Sequence, residues 1–144
     1  MTLPAFLSDV HKAAGEPQLR LDSRGVVERW LNKDESMSWD FKVIQPGAYE
    51  VIVLTSEQKY GRDWEGGHQI AIEVAGQNLR SAVNNDGKRE NPANPYWKYV
   101  ISKMGRVTFD KAGKYNLALK PESIRGEKKL GLTLVSVELR PVQN

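Results

Sequence analysis

Strict alternation of apolar and polar side chains is the feature of this sequence that leaves the fewest folds open. Met37, Trp39, Phe41 and Val43 alternate with Ser38, Asp40 and Lys42, and a period of two puts all four apolar groups on one face of an extended strand. After Gln45-Pro46-Gly47 the run 48–55 is apolar on both faces, with Tyr49, Val51 and Val53 on one side and Ile52 and Leu54 on the other. A strand covered on both faces belongs in the middle of a sheet. Ile70, Ile72 and Val74 repeat the alternation, and Ala75-Gly76-Gln77-Asn78 reads as the turn of a hairpin that 79–83 completes.

Further strands are predicted at 26–31, 97–101, 105–109, 114–119 and 130–139, and Leu19 and Leu21 alternate with polar neighbours. Gly, Pro, Asn and Asp separate these runs. In the last run the apolar phase shifts between Leu134 and Val135, which predicts a β-bulge. Eight to nine strands without an interior helix predict an all-β fold, a two-layer antiparallel β-sandwich. The N-terminus reads differently. Leu3, Phe6, Leu7 and Val10 stand three and four apart, the period of a helical face, with Pro4 suited to the first turn and Gly15 and Pro17 to the end. The expected organisation is therefore a short N-terminal helical arm or linker over 1–17 and a sandwich domain over 18–144.

Size and charge are compatible with that reading. A chain of 144 residues is long enough for one substantial core. No segment approaches the roughly 18 uninterrupted apolar residues of a membrane-spanning helix. The 21 basic and 18 acidic side chains are scattered, whereas nucleic-acid binding calls for a concentrated basic stripe. The absence of cysteine excludes disulfides, thiolate catalysis and zinc–thiolate sites. Two histidines far apart, His11 and His68, do not suggest a metal site, and there is no glycine loop of the phosphate-cradling kind.

The order of phrases along the strands carries a resemblance. Trp30-Leu31-Asn32 with Asp34, Ser38-Trp39-Asp40-Phe41, Pro46-Gly47-Ala48-Tyr49-Glu50-Val51, Ile72-Glu73-Val74-Ala75-Gly76-Gln77, Gly105-Arg106-Val107-Thr108-Phe109, Ala112-Gly113-Lys114-Tyr115 and Leu134-Val135-Ser136-Val137-Glu138-Leu139 follow one another. Together they resemble the galactose-binding-like jelly roll, close to the family 6 carbohydrate-binding modules found C-terminal to bacterial α-L-fucosidases and sulfatases. The resemblance covers about 18–142. It implies a jelly-roll sandwich, a ligand held on loops at one end between aromatic rings and a polar amide or carboxylate, no cofactor beyond the structural calcium that such relatives often bind, and a secreted or periplasmic setting. No signal peptide is visible in this chain, and the sequence lacks an acidic cluster of calcium-loop spacing.

Sugar recognition needs a flat apolar ring for the C–H face of a pyranose and planar polar groups for its hydroxyls. Tyr60 and Trp64 sit in the polar stretch 59–67 beside Arg62, Asp63 and Glu65, and Trp97 closes the long loop 84–95 after Asn94. These seven are the candidate ligand-binding residues: Tyr60, Trp64 and Trp97 as stacking surfaces, Arg62, Asp63, Glu65 and Asn94 as hydroxyl partners. The alternative for Trp64 is that it folds back as a lid over the sandwich end. Trp39, in phase with Met37 and Phe41, and Trp30 are assigned to the core. Lys88, Arg89, Arg125, Lys128 and Lys129 form a loop-borne basic set that would either hold a sulfated or uronic-acid polysaccharide or be simply solvated.

The expected function is a non-catalytic carbohydrate-binding accessory domain of a larger extracytoplasmic glycan-degrading protein. Its expected partners are carbohydrate and a neighbouring catalytic domain, with neither nucleic acid nor a membrane span. A second reading is a structural or interaction sandwich that packs on a catalytic neighbour without binding sugar. A third, a small glycan-cleaving enzyme built on Asp63, Glu65, Asp86 and Glu90, would require two carboxylates converging in a groove.

Overall fold

The structure, a computed structural model, describes the chain except residues 13, 14, 16–18, 59–62, 92–96, 128, 143 and 144. Ten of its strands form two five-stranded antiparallel sheets. Sheet one runs β1 (Thr2–Pro4), β12 (Leu134–Pro141), β6 (Gly47–Ser56), β10 (Tyr99–Phe109), β9 (Gly87–Arg89) across its width. Sheet two runs β2 (Asp9–Lys12), β5 (Glu35–Val43), β11 (Gly113–Ser123), β7 (Gln69–Val74), β8 (Gln77–Ala82), and β3 (Arg20–Leu21) with β4 (Val27–Glu28) makes a separate two-stranded ribbon. The sandwich expected from the alternation is thus present, with β6 central in its sheet.

The two inner faces meet in one core. Met37, Trp39 and Val43 of β5 pack with Tyr49, Val51 and Val53 of β6, Ile70 and Ile72 of β7, Leu117 and Leu119 of β11 and Val137 and Leu139 of β12. Each such aliphatic side chain taken from water stabilises the fold by about 1.5–3 kcal/mol, so the alternation itself selects the register. Phe41 is only half-buried, its ring among Phe109 and Tyr115 at the rim of the core. Trp30 and Trp39 are buried as expected, and the indole N–H of Trp39 donates to the Pro4 carbonyl at 2.7 Å. Ile52 and Leu54, on the outer face of β6, are buried as well.

Irregularities fall where the sequence changes phase. The pairing of β12 with β6 shifts between Leu134 and Ser136, the bulge expected there. The runs 97–101 and 105–109 are one strand, β10, interrupted by a bulge between Lys103 and Gly105. The β7–β8 hairpin turns on Ala75 (φ 52°) and Gly76 (φ 71°), with Val74 opposite Gln77, the two positive φ values of a type I′ turn. Alanine is strained there by its Cβ, so Ala75→Asn is expected to stabilise the protein by about 0.5–1 kcal/mol in denaturant melts. A neutral or destabilising result would contradict the turn assignment.

The N-terminal helix is not found. Thr2–Pro4 pairs with β12, Ala5–Leu7 is a single 3-10 turn, and Asp9–Lys12 pairs with β5. The arm crosses from the edge of one sheet to the edge of the other. Leu3 and Ala5 face the core while Phe6 and Leu7 are 62% and 68% exposed, so the three- and four-residue spacing does not mark one buried face. Backbone pairing with two sheet edges outcompetes a helix too short to be stable alone. The long loop is also revised, since Gly87–Arg89 inside it adds β9 to β10.

Candidate functional site

The predicted loops gather at the end of the sandwich where β6 runs out. Glu57, the residue after β6, is 5% exposed and accepts from the Lys88 ammonium at 2.6 Å and the Lys98 amide at 3.1 Å. One buried carboxylate thereby ties β9 and the approach to β10 to the end of β6. Gln58 and Asp63 exchange two backbone hydrogen bonds, 2.7 and 3.1 Å, closing the base of the loop that carries residues 59–62. Tyr60, Arg62 and Asn94 lie outside the described residues.

Trp97 is half-buried, with the Arg24 guanidinium carbon 4.0 Å from its ring centroid. Arg24 is held in that position by Asp22, with bonds of 2.6 and 3.0 Å, and by Gln58 Oε1 at 3.3 Å. A guanidinium stacked on an indole and steered by a carboxylate is a preorganised planar donor beside an aromatic ring. The ribbon β3–β4 supplies this arginine, and its contribution to the site was missed. Its signal in the sequence is the turn Asp22-Ser23-Arg24-Gly25, in which Asp22 accepts from the amides of Arg24 and Val26.

Trp64 folds back. Its indole N–H donates to Thr55 Oγ1 at 2.9 Å, and its six-membered ring lies so close over Gly66 that a Cβ there would come within 2.3 Å. The ring remains half-buried, at the wall of a cleft of about 390 Å³ lined also by Glu65, Val83, Asn84, Asn85, Arg125 and Glu127. Asn84 and Asn85 are exposed, and Arg125 pairs with Glu127 at 3.0 Å. Two consecutive amides at the head of a long loop were the sequence signal for this second polar wall.

Glu65 differs from expectation. It is 5% exposed, and Oε1 accepts from the backbone N–H of Gly131 at 2.7 Å and of Leu130 at 3.2 Å. Burial and backbone pairing remove it from the set of hydroxyl partners and make it the anchor of the segment leading into β12. Beside it, His68 is fully buried, with Nε2 3.0 Å from the Glu65 carbonyl and 3.1 Å from the Gly131 carbonyl, while the Arg125 amide donates to Nδ1 at 2.9 Å. Two carbonyl acceptors on one nitrogen and a donor on the other assign the neutral Nε2–H tautomer.

Burial is the main force lowering the His68 pKa below 6.5, outweighing the two carbonyl bonds that raise it. The unfolded chain therefore takes up a proton that the folded chain refuses. Stability is fully present above pH 6.5 and declines as pH falls from there toward the lower folded-state value. Thermal midpoints at pH 7.5 and 5 should reveal this loss, and His68→Gln should abolish the step below pH 6.5. An unchanged pH profile in that variant would sink the assignment.

The basic set also looks different in three dimensions. Lys88 is paired with Glu57, Arg125 with Glu127, and Arg89 is bidentate to Glu138 at 2.6 and 3.1 Å. Burial pushes the Glu138 pKa up, but the hydrogen bonds and charges of Arg89 and Arg140 outweigh it and hold the group below its ordinary value. Lys128 lies outside the described residues. Among the described residues no three His, Asp or Glu side chains converge as a metal site, and no helix is long and apolar enough to cross a membrane.

Comparison with known proteins places this geometry in a fold class. No family model matches the sequence, and no curated protein matches it. Among solved structures, the α-L-fucosidase from Vibrio sp. strain EJY3 is similar at a TM-score of 0.64 and 22% identity, over 84% of this chain and 22% of that one. A Paenibacillus xanthan lyase gives 0.64 and 17% identity, over 98% of this chain and 13% of that one. The family 35 carbohydrate-binding module from Clostridium thermocellum gives 0.57 and 14% identity, over 97% of this chain and 98% of the module. The chain shares the fold of these three structures, and it spans a minor part of the two enzymes and nearly all of the module.

Proposed function

We propose that this domain is a non-catalytic carbohydrate-binding accessory module of the jelly-roll type, working beside a glycan-degrading catalytic domain in an extracytoplasmic setting. The observation that carries the reading is the pairing, at one sandwich end, of Trp97 under its steered Arg24 with the polar cleft walled by Trp64, Asn84, Asn85 and Arg125. An indole offers the apolar face, and guanidinium and amide groups offer the planar donors that sugar hydroxyls require. Asp63 at the loop base and Tyr60, Arg62 and Asn94 complete the proposed ligand set.

Several of the carboxylates that hydrolysis would need are otherwise engaged. Glu65 is anchored to backbone, Asp86 accepts from the Lys103 amide at 2.8 Å, and Glu90 pairs with Lys98 at 3.5 Å. This supports the non-catalytic reading, since a glycosidase needs two carboxyl groups free to face the scissile bond. A glycan-array screen on the domain is the test. On any hit, Trp97→Ala is expected to weaken binding roughly five- to tenfold, the worth of about 1–1.5 kcal/mol for an aromatic contact. Unchanged affinity for both Trp97→Ala and Asn85→Ala would remove this end as the site.

A second reading, packing on a catalytic neighbour without sugar binding, draws on the exposed Phe6 and Leu7. It is separated from the first by the array: no glycan bound, with the domain folded, would favour it.

A further inference from the structure

Where an edge strand stops short of its neighbour, this fold covers backbone groups left over, as an exposed sheet edge requires. β9 reaches only Tyr99, Val100 and Ile101 of β10. Further along β10, Asp86 accepts from the Lys103 amide at 2.8 Å, and the Gln77 side chain accepts from the Thr108 amide at 2.9 Å and donates to its carbonyl at 2.7 Å. β1 reaches only Ser136, Val137 and Glu138 of β12, and beyond it the Met1 carbonyl and ammonium take both backbone groups of Leu139, at 2.9 and 3.1 Å. β5 is treated differently. Its pairing with β2 runs from Glu35 to Ser38 and ends, and among the described residues no hydrogen bond reaches the open side of β5 at 40–43. There Asp40 and Lys42 are exposed on the outer face, Phe41 is half-buried on the inner face, and Ile44, just past the strand, is 76% exposed. Lys42 stands opposite Lys114 of β11 and forms no ion pair among the described residues, an arrangement that destabilises a ladder. A hollow of about 640 Å³ lies against 40–42 and the facing 114–116.

We propose that this edge pairs with the same edge of a second copy of the chain, in a two-fold dimer whose two outer sheets join into one. Residues 39–43 are complementary to themselves when laid antiparallel about Phe41. Asp40 of each copy then stands opposite Lys42 of the other, Phe41 opposite Phe41, and Trp39 opposite Val43. Across the outer face the row reads Lys114 and Lys42 of one copy, then Asp40 and Asn116 of the other, so the two lysines gain a carboxylate that their own sheet does not supply. Phe41 meets its equivalent as a cross-strand aromatic pair. The charges select this register. Centring the pairing on Asp40 or on Lys42 sets like charges opposite each other, and a one-residue slip turns the inner face of one sheet outward. An isologous contact of this kind uses the edge once per copy and closes at two. It covers about 17 Å of strand, which places it among weak, transient interfaces. The contact lies at the end of the sandwich where β6 begins, opposite the loops of the proposed glycan site, and does not rest on that reading.

The test is sedimentation equilibrium of the protein, carried to about 1 mM so that a weak interface is populated. The parent should sediment as monomer and dimer in equilibrium. Asp40→Lys makes the edge cationic at both positions and Lys42→Asp makes it anionic at both. Each variant alone should self-associate roughly tenfold more weakly, because two attractive pairs become two repulsive ones. Mixed in equal amounts, the two variants should form a heterodimer about as readily as the parent forms its dimer. The double variant Asp40→Lys/Lys42→Asp, complementary to itself again, should regain self-association. Both positions are exposed, and recovery in the mixture cannot come from chains that have failed to fold. A parent that stays monomeric throughout, single variants that dimerise like the parent, or a mixture and a double variant that both stay monomeric would each overturn the proposal.

Discussion

Gly131→Ala is expected to lower the midpoint of thermal unfolding by roughly 10 °C, the equivalent of about 3 kcal/mol for a chain of this size. Gly131 has a φ of +69°, and a Cβ at this position would come within 2.2 Å of the Trp30 carbonyl oxygen. Left-handed backbone costs a non-glycine residue about 1–2 kcal/mol, and forcing atoms into occupied space about 1–3 kcal/mol more. The obstacle is backbone, so no side-chain rotation relieves it. Moving it would disturb the Leu132 amide bond to Trp30 O at 3.2 Å and the contacts that Gly131 makes with Glu65 and His68. Gly76→Ala is the control: its φ is +71° but nothing stands near its absent Cβ, so it should show only the backbone part, about 1–2 kcal/mol. If the two variants melt together, the close approach to Trp30 does not restrict position 131.

The contrast between these two glycines also shows what a sequence reveals. Gly76 follows an alternating run and precedes another, so its turn is written in local pattern, and the structure places it between Val74 and Gln77. Gly131 is indistinguishable locally from any loop glycine, because what it meets is a carbonyl a hundred residues earlier. The same division runs through the fold. β5, β6 and β7 were legible because period-two alternation is a property of each strand alone, and the bulge near Val135 because a phase shift is visible in one strand. The N-terminal arm was misread because its partners are the edges of two different sheets, and nothing in residues 1–14 encodes an edge that later residues build.

The site follows the same rule. Aromatic and polar residues in loops were recognisable as candidates, and Trp97 with Arg24 over its ring is among them. Whether a loop side chain faces solvent depends on distant groups. Thr55 takes the indole N–H of Trp64, and Glu57 ties Lys88 and the Lys98 amide together. No spacing announces such bonds.

Glu65 is where the distinction between scaffold and ligand group has its largest consequence. Glu65→Ala is expected to cost about 3–5 kcal/mol, because two backbone amides lose a charged acceptor and hydrogen bonds to charged groups are worth about 1.5–3 kcal/mol each. The loss should be local in origin, since Leu130 and Gly131 lead directly into β12 and Arg125, hung on His68, forms one wall of the polar cleft. Hydrogen exchange should therefore show the amides of Leu130, Gly131 and Arg125 losing protection first. Glu65→Gln keeps an oxygen acceptor in the same place without the charge, and should lose only about 1–2 kcal/mol. Because the carboxylate is buried against backbone, Glu65→Gln should also keep glycan affinity within about twofold, well under the tenfold that about 1.4 kcal/mol represents. A Glu65→Gln domain that melts like the parent yet binds its glycan roughly tenfold more weakly would return this carboxylate to the ligand set and overturn its role as an anchor.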